Sequence, residues 1–168
     1  MAIVSSADAG LRAASRATIL QLRAPLLSTA HVETEALTLI GSSPVPVVIS
    51  SRADLAVACD AAGVHLPERD IATSDARKLM GKRLVGRSVH CLESAAAAES
   101  EGADYLIYGP VWPSASHPGV APVGIESLAS LARSVRIPVL AVGGVTPERI
   151  AECHRAGAAG YAAIGMFE

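Results

Sequence analysis

Three short runs hold residue types able to do chemistry, and each stands where an apolar stretch gives way to a loop. Ser88-Val89-His90 sets a hydroxyl and an imidazole two positions apart, so in an extended chain both face one side. A histidine with a free pKa near ~6.5 can take or give a proton at neutrality. The competing reading is a histidine hydrogen-bonded into a loop layer. Gln21 and Arg23 are also two apart. A guanidinium on a cavity wall would pair a carboxylate or phosphate, whereas an inward arginine held by neighbouring acids would be structural. Gly143-Gly144 and Gly165 can bring bare backbone N–H groups close to an anion. A lone Gly-Gly is usually a tight turn; matched glycines on two adjacent strands point to a phosphate.

Other candidates are weaker. His65, His90 and His117, with Asp70 nearby, could ligate a metal, but their spacing matches no ligand motif. Asp70 otherwise reads as a loop acid. Cys59, Cys91 and Cys153 are widely spaced with no CxxC, and read as buried thiols of a reducing compartment. Trp112, the only tryptophan, could cover a flat ring, although anchoring its own loop is the commoner role. Arg77, Lys78, Lys82 and Arg83 read as a solvated basic face.

Such groups need a scaffold that brings loop starts together. Short β-rich apolar runs alternate with Ala/Leu-rich helical stretches. Strands are expected at 2–5, 17–23, 45–50, 63–66, 83–89, 105–109, 138–142 and 161–164. Helices are expected at 9–16, 32–40, 54–61, 74–80, 92–101, 125–134 and 147–156. Thr73 or Ser74 should cap the fourth helix, and Thr146-Pro147 should begin the last. Proline-rich 110–123 reads as a long loop. Near-continuous apolar strands imply a parallel sheet covered on both faces. The expected fold is α/β: a compact (β/α)8 TIM barrel spanning 1–168 as a single domain, with the final outer helix missing. An open doubly wound sheet follows if 2–5 fails to pair. Bare barrel surface beyond the last strand suggests a homo-oligomer or a shortened chain. Chemistry on a barrel gathers at the loops following the strands, with phosphate after strands seven and eight.

Composition narrows the partners. The net charge is −2 and only 3% of residues are aromatic, which argues against nucleic acid. No apolar run is long enough for a membrane span, and the start lacks the features of a signal peptide. The expected location is cytoplasmic.

Residues 85–95, 102–105, 109–111 and 137–147, with Gly63-Val64-His65-Leu66 and Gln21-Leu22-Arg23, resemble the thiamine phosphate synthase/TenI family. The resemblance implies a barrel, a thiazole phosphate ligand and one of two activities. A synthase joins a pyrimidine diphosphate to thiazole phosphate using magnesium; a TenI-type tautomerase shifts a double bond within a thiazole phosphate carboxylate. Pro25 stands where the synthase pattern has lysine, Ser50-Ser51 where it has Asn-Asp, and His117 nearest a further lysine, while Asp70 matches its second magnesium-binding acid. A departing diphosphate needs positive charge, and the TenI form carries a histidine at the position of His90. The expectation is therefore a tautomerase with no cofactor. His90 would relay the proton. Gln21, Arg23, Ser88, Ser114, Ser116, Gly143, Gly144 and Gly165 would bind substrate. The alternatives are a synthase with a remodelled diphosphate site, using Mg2+ through Asp70, and a non-catalytic phosphate-ligand binder.

Overall fold

The computed structural model describes residues 1–114 and 119–167. Its strands run β1 (Ala2–Val4), β2 (Leu20–Leu22), β3 (Val47–Ser50), β4 (Gly63–Leu66), β5 (Leu84–Val89), β6 (Tyr105–Tyr108), β7 (Val139–Val142) and β8 (Gly160–Ala162). Between them lie α1 (Ala7–Ala13), α2 (Thr29–Ser42), α3 (Ala53–Ala58), α4 (Thr73–Met80), α5 (Leu92–Ser100), α6 (Ile125–Ser134) and α7 (Ile150–Arg155).

The strands form one parallel sheet in sequence order. It curls until β1 meets the end of β8: Ile3 donates its amide to the Ala163 carbonyl at 2.9 Å, and Ala163 to that of Met1 at 3.2 Å. This pairing excludes the open sheet. The alternation of a strand then sorts its side chains. Val64 and Leu66 point outward and pack under the helices, as do Leu106 and Tyr108 on β6. Val48, Tyr105, Ile107 and Ala162 fill the interior. Gly63 and Gly86 thin that interior. A Cβ on Gly63 would lie 2.3 Å from the Leu84 carbonyl oxygen, and one on Gly86 would lie 2.1 Å from the Tyr105 ring.

Element order agrees with the sequence expectation, and the boundaries differ by physical detail. β2 begins at Leu20 rather than Ala17, and α2 extends from Thr29 to Ser42 because Ser28 accepts the His31 amide as its N-cap. α4 has no side-chain cap: its N-cap is Ala72, and Thr73 is buried inside the first turn. The last helix opens as a 3-10 turn over Pro147–Arg149. Cys59 and Cys153 are buried, but Cys91 is exposed, where its sulfur caps α5 by accepting the Ser94 amide. The basic cluster is not merely solvated. The Arg77 guanidinium donates to the carbonyls of Gly81, Gly102 and Arg83 and to Asp104, tying α4 to the starts of β5 and β6.

Candidate active site

The C-terminal strand ends surround a cavity of about 610 Å3. Of the residues singled out by sequence, Gln21, Arg23, Ser88, His90, Ser114, Gly143, Gly144 and Gly165 all line it. Ser116 and His117 lie outside the described residues. Asp70 is not on this wall; its Oδ1 accepts the amide of Ile71 at 2.7 Å.

The glycine pair earns its place by geometry. Gly143 and Gly144 have φ of 86° and 65°, backbone that disfavours any residue with a Cβ. A Cβ at 144 would also fall 2.6 Å from the Pro113 carbonyl oxygen. The loop is clamped from outside: Arg149 donates to the Gly144 carbonyl at 2.6 Å and lies 4.9 Å above the Trp112 ring. Trp112 itself donates its amide to Gly143 and does not reach the cavity, so it anchors the loop. Among the described residues, the amides of Gly143, Gly144 and Gly165 donate to no carbonyl. Unpaired N–H groups on residues that line a cleft suit an anion.

Across the mouth, His90 follows β5 and is half exposed. Its Nδ1 lies 2.7 Å from the Gly109 carbonyl oxygen. A carbonyl can only accept, so Nδ1 carries hydrogen and Nε2 keeps its lone pair in the neutral ring. The nearest carboxylate oxygen, on Glu68, is 3.9 Å from Nε2. Glu68 sits in a loop held by Arg87, which donates to the carbonyls of Glu68 and Ile71. Arg23, after β2, is exposed and pairs with no acid among the described residues, so it is available to a ligand. Gln21 is 2% exposed, and its Oε1 is buried without a partner. A buried amide left empty-handed on a cavity wall is a ligand or water contact.

The floor holds a group that sequence reasoning misplaced. His65, weighed in the sequence only as a strand-end histidine and possible metal ligand, is 2% exposed and lines the cavity from below. Its Nε2 is 2.8 Å from Ser88 Oγ and its Nδ1 3.3 Å from the Tyr105 hydroxyl. Burial, then the charge of Arg87, pushes its pKa down to about 3, so it is neutral. The signal was available: Gly63 and His65 are two apart, as are Gly86 and Ser88, and a glycine-thinned barrel interior admits polar rings. Glu68 had no such signal, because only the loop path sets it beside His90.

A magnesium ion held jointly with substrate phosphates would draw on few protein ligands here. Among the described residues the cavity wall carries one carboxylate, Glu68, which faces His90; Ser50 stands at the end of β3, and Asp70 is turned into its own loop. Among the described residues no three His, Cys, Asp or Glu side chains are grouped to hold a metal.

The family described as thiamine monophosphate synthase matches residues 3–167. A putative thiamine-phosphate synthase 2 of Aquifex aeolicus is 43% identical over 121 residues, covering 72% of this chain and 65% of that protein. The thiamine-phosphate synthase of Chloroflexus aurantiacus is 38% identical, covering 88% of this chain and 70% of that protein. The chain thus spans about two thirds of the length of these relatives. The thiamine phosphate pyrophosphorylase structure from Pyrococcus furiosus superposes with a TM-score of 0.87 at 29% identity, covering 98% of this chain and 84% of that one.

Proposed function

The chain belongs to the thiamine monophosphate synthase family, and we propose that it is an enzyme of thiamine biosynthesis acting on a phosphorylated thiazole. Names and side chains then support different reactions. The relatives' names favour a thiamine-phosphate synthase, and this is the reading that the comparisons support over a tautomerase. The side chains favour proton transfer. A synthase must stabilise a departing diphosphate, and among the described cavity residues only Arg23 carries a permanent positive charge.

The geometry is best served by a thiazole tautomerase. The amides of Gly143, Gly144 and Gly165 would seat the phosphate, and Arg23 the ring carboxylate. His90 would take a ring proton on Nε2 and return it to the neighbouring atom as the double bond shifts. The observation that carries this reading is the Nδ1 contact of His90 with Gly109, which leaves Nε2 as the proton acceptor. Glu68 would steady the transient imidazolium.

One experiment separates the reactions. The protein is given thiazole phosphate carboxylate alone, and then thiazole phosphate with the pyrimidine diphosphate and magnesium. Isomerisation in the first supports the tautomerase. Pyrophosphate release in the second, without isomerisation in the first, establishes the synthase instead. Tight binding with neither reaction would make the chain a non-catalytic binder.

A further inference from the structure

Beneath the cavity, Tyr105, His65 and Ser88 form a chain of contacts: Tyr105 hydroxyl to His65 Nδ1 at 3.3 Å, and His65 Nε2 to Ser88 Oγ at 2.8 Å. The two rings stack with centroids 5.6 Å apart. The bare Gly86 makes this possible, since a Cβ there would strike the Tyr105 ring. Three groups share two contacts, and counting hydrogens decides their direction.

If His65 carried its hydrogen on Nδ1 it would donate to Tyr105, and the phenolic hydrogen would be left buried with no acceptor among the described residues. Tyr105 is 7% exposed, so that orphan would be costly. If Tyr105 donates instead to Nδ1, then Nε2 carries the hydrogen and donates to Ser88 Oγ. The Ser88 hydrogen is then turned toward the cavity. Every donor below the surface is satisfied in this arrangement alone. Burial agrees with it: the imidazole is neutral and the phenol is raised above its ordinary pKa, so each keeps one hydrogen.

We propose that Tyr105 and His65 are positioning residues that polarise Ser88 into an outward hydrogen-bond donor, so that the ligand atom above the cavity floor is an acceptor. The inference rests on the cavity being the ligand site and is independent of which reaction occurs there. An oxygen of a ring carboxylate, or an unprotonated ring nitrogen, pairs with the outward Ser88 hydrogen; an N–H or O–H at that point could use only the second lone pair of Oγ and would leave that hydrogen unpaired. Gln21, whose Oε1 has no partner among the described residues, adapts to either polarity by rotating.

The test uses the whole chain with thiazole phosphate carboxylate as probe, measuring affinity by calorimetry. Ser88→Ala and His65→Leu are each expected to weaken binding about tenfold, the scale of one hydrogen bond to a charged acceptor. Because His65 acts through Ser88, the double variant should lose no more than either single one. His65→Gln, which can still donate an amide hydrogen, should recover most of the loss. Multiplicative losses, or unchanged binding in His65→Leu, overturn the proposal. Nitrogen NMR of the unaltered protein gives an arm free of folding defects: Nε2 of His65 should be protonated and Nδ1 bare. A protonated Nδ1 overturns the donor chain. Failure of the probe to bind the unaltered protein sinks the thiazole reading instead, and the tautomer still decides this one.

Discussion

Two side chains at the cavity mouth divide the chemistry between proton transfer and charge pairing. Among the described residues, the His90 ring bonds the protein through Nδ1 alone and, at longer range, faces Glu68. Replacing it with Asn should lower turnover by about 10²–10⁴-fold, the usual worth of general acid–base catalysis. Phosphate affinity should remain, since the glycine amides lie on other strands; steady-state kinetics beside a phosphate titration checks both. Among the described residues Arg23 is the cation of the wall that pairs with no acid. Arg23→Ala should weaken binding of a carboxylated thiazole phosphate about 10–100-fold while leaving a thiazole phosphate without carboxylate nearly unaffected. Calorimetry with the two ligands would show it, and equal losses for both would assign Arg23 to the phosphate. Residue types at 21, 23, 88, 90, 143, 144 and 165 were enough to nominate this wall. Glu68 was not nominated and His65 only as a possible metal ligand, because their roles depend on what stands opposite them.

Secondary elements supply the tension that holds these groups in register. The loop after β7 has both glycines at positive φ and is clamped by Arg149 and Trp112. Gly144→Ala combines a disfavoured φ with a Cβ 2.7 Å from the Trp112 Cβ. We expect a stability loss of about 1–3 kcal/mol and a larger proportional loss of phosphate affinity, read by denaturant titration and phosphate binding. On the opposite end of the barrel, Arg77 satisfies three carbonyls and Asp104. Removing it leaves those groups to find water or go unpaired. Arg77→Met should therefore destabilise by about 2–4 kcal/mol without changing ligand affinity. Its spacing within a basic run looked like a solvated face, and only the fold brings α4 against the turns before β5 and β6.

At the scale of the whole barrel, the buried polar interior couples stability to pH. His65 binds a proton near 6.5 when unfolded but only near about 3 when folded. Below pH 6.5 the unfolded state therefore holds the extra proton. The contribution of His65 is complete above that pH and is lost progressively as pH falls toward about 3. The slope for one such group is about 1.4 kcal/mol per pH unit. Denaturant midpoints measured from pH 7 to 4 should fall, and His65→Leu should flatten the curve; an equal slope in that variant would show that His65 is not the group responsible. No helix among the described residues is long and apolar enough to cross a membrane.

Alternating apolar runs were sufficient to set the strand and helix order, because a parallel strand covered on both faces must be apolar throughout, and period-two spacing assigned Ser88 with His90 and Gln21 with Arg23 to shared faces. The barrel itself was expected from sequence; the β1 pairing that closes it, the Arg77 latch, the meeting of Glu68 with His90, and the burial of His65 between Tyr105 and Ser88 came only with the tertiary structure. Those depend on residues far apart in the chain, such as His65 with Ser88 and Tyr105, 23 and 40 residues apart, and Arg77 with Gly102, 25 apart, and on how far the barrel curls; local sequence specifies neither.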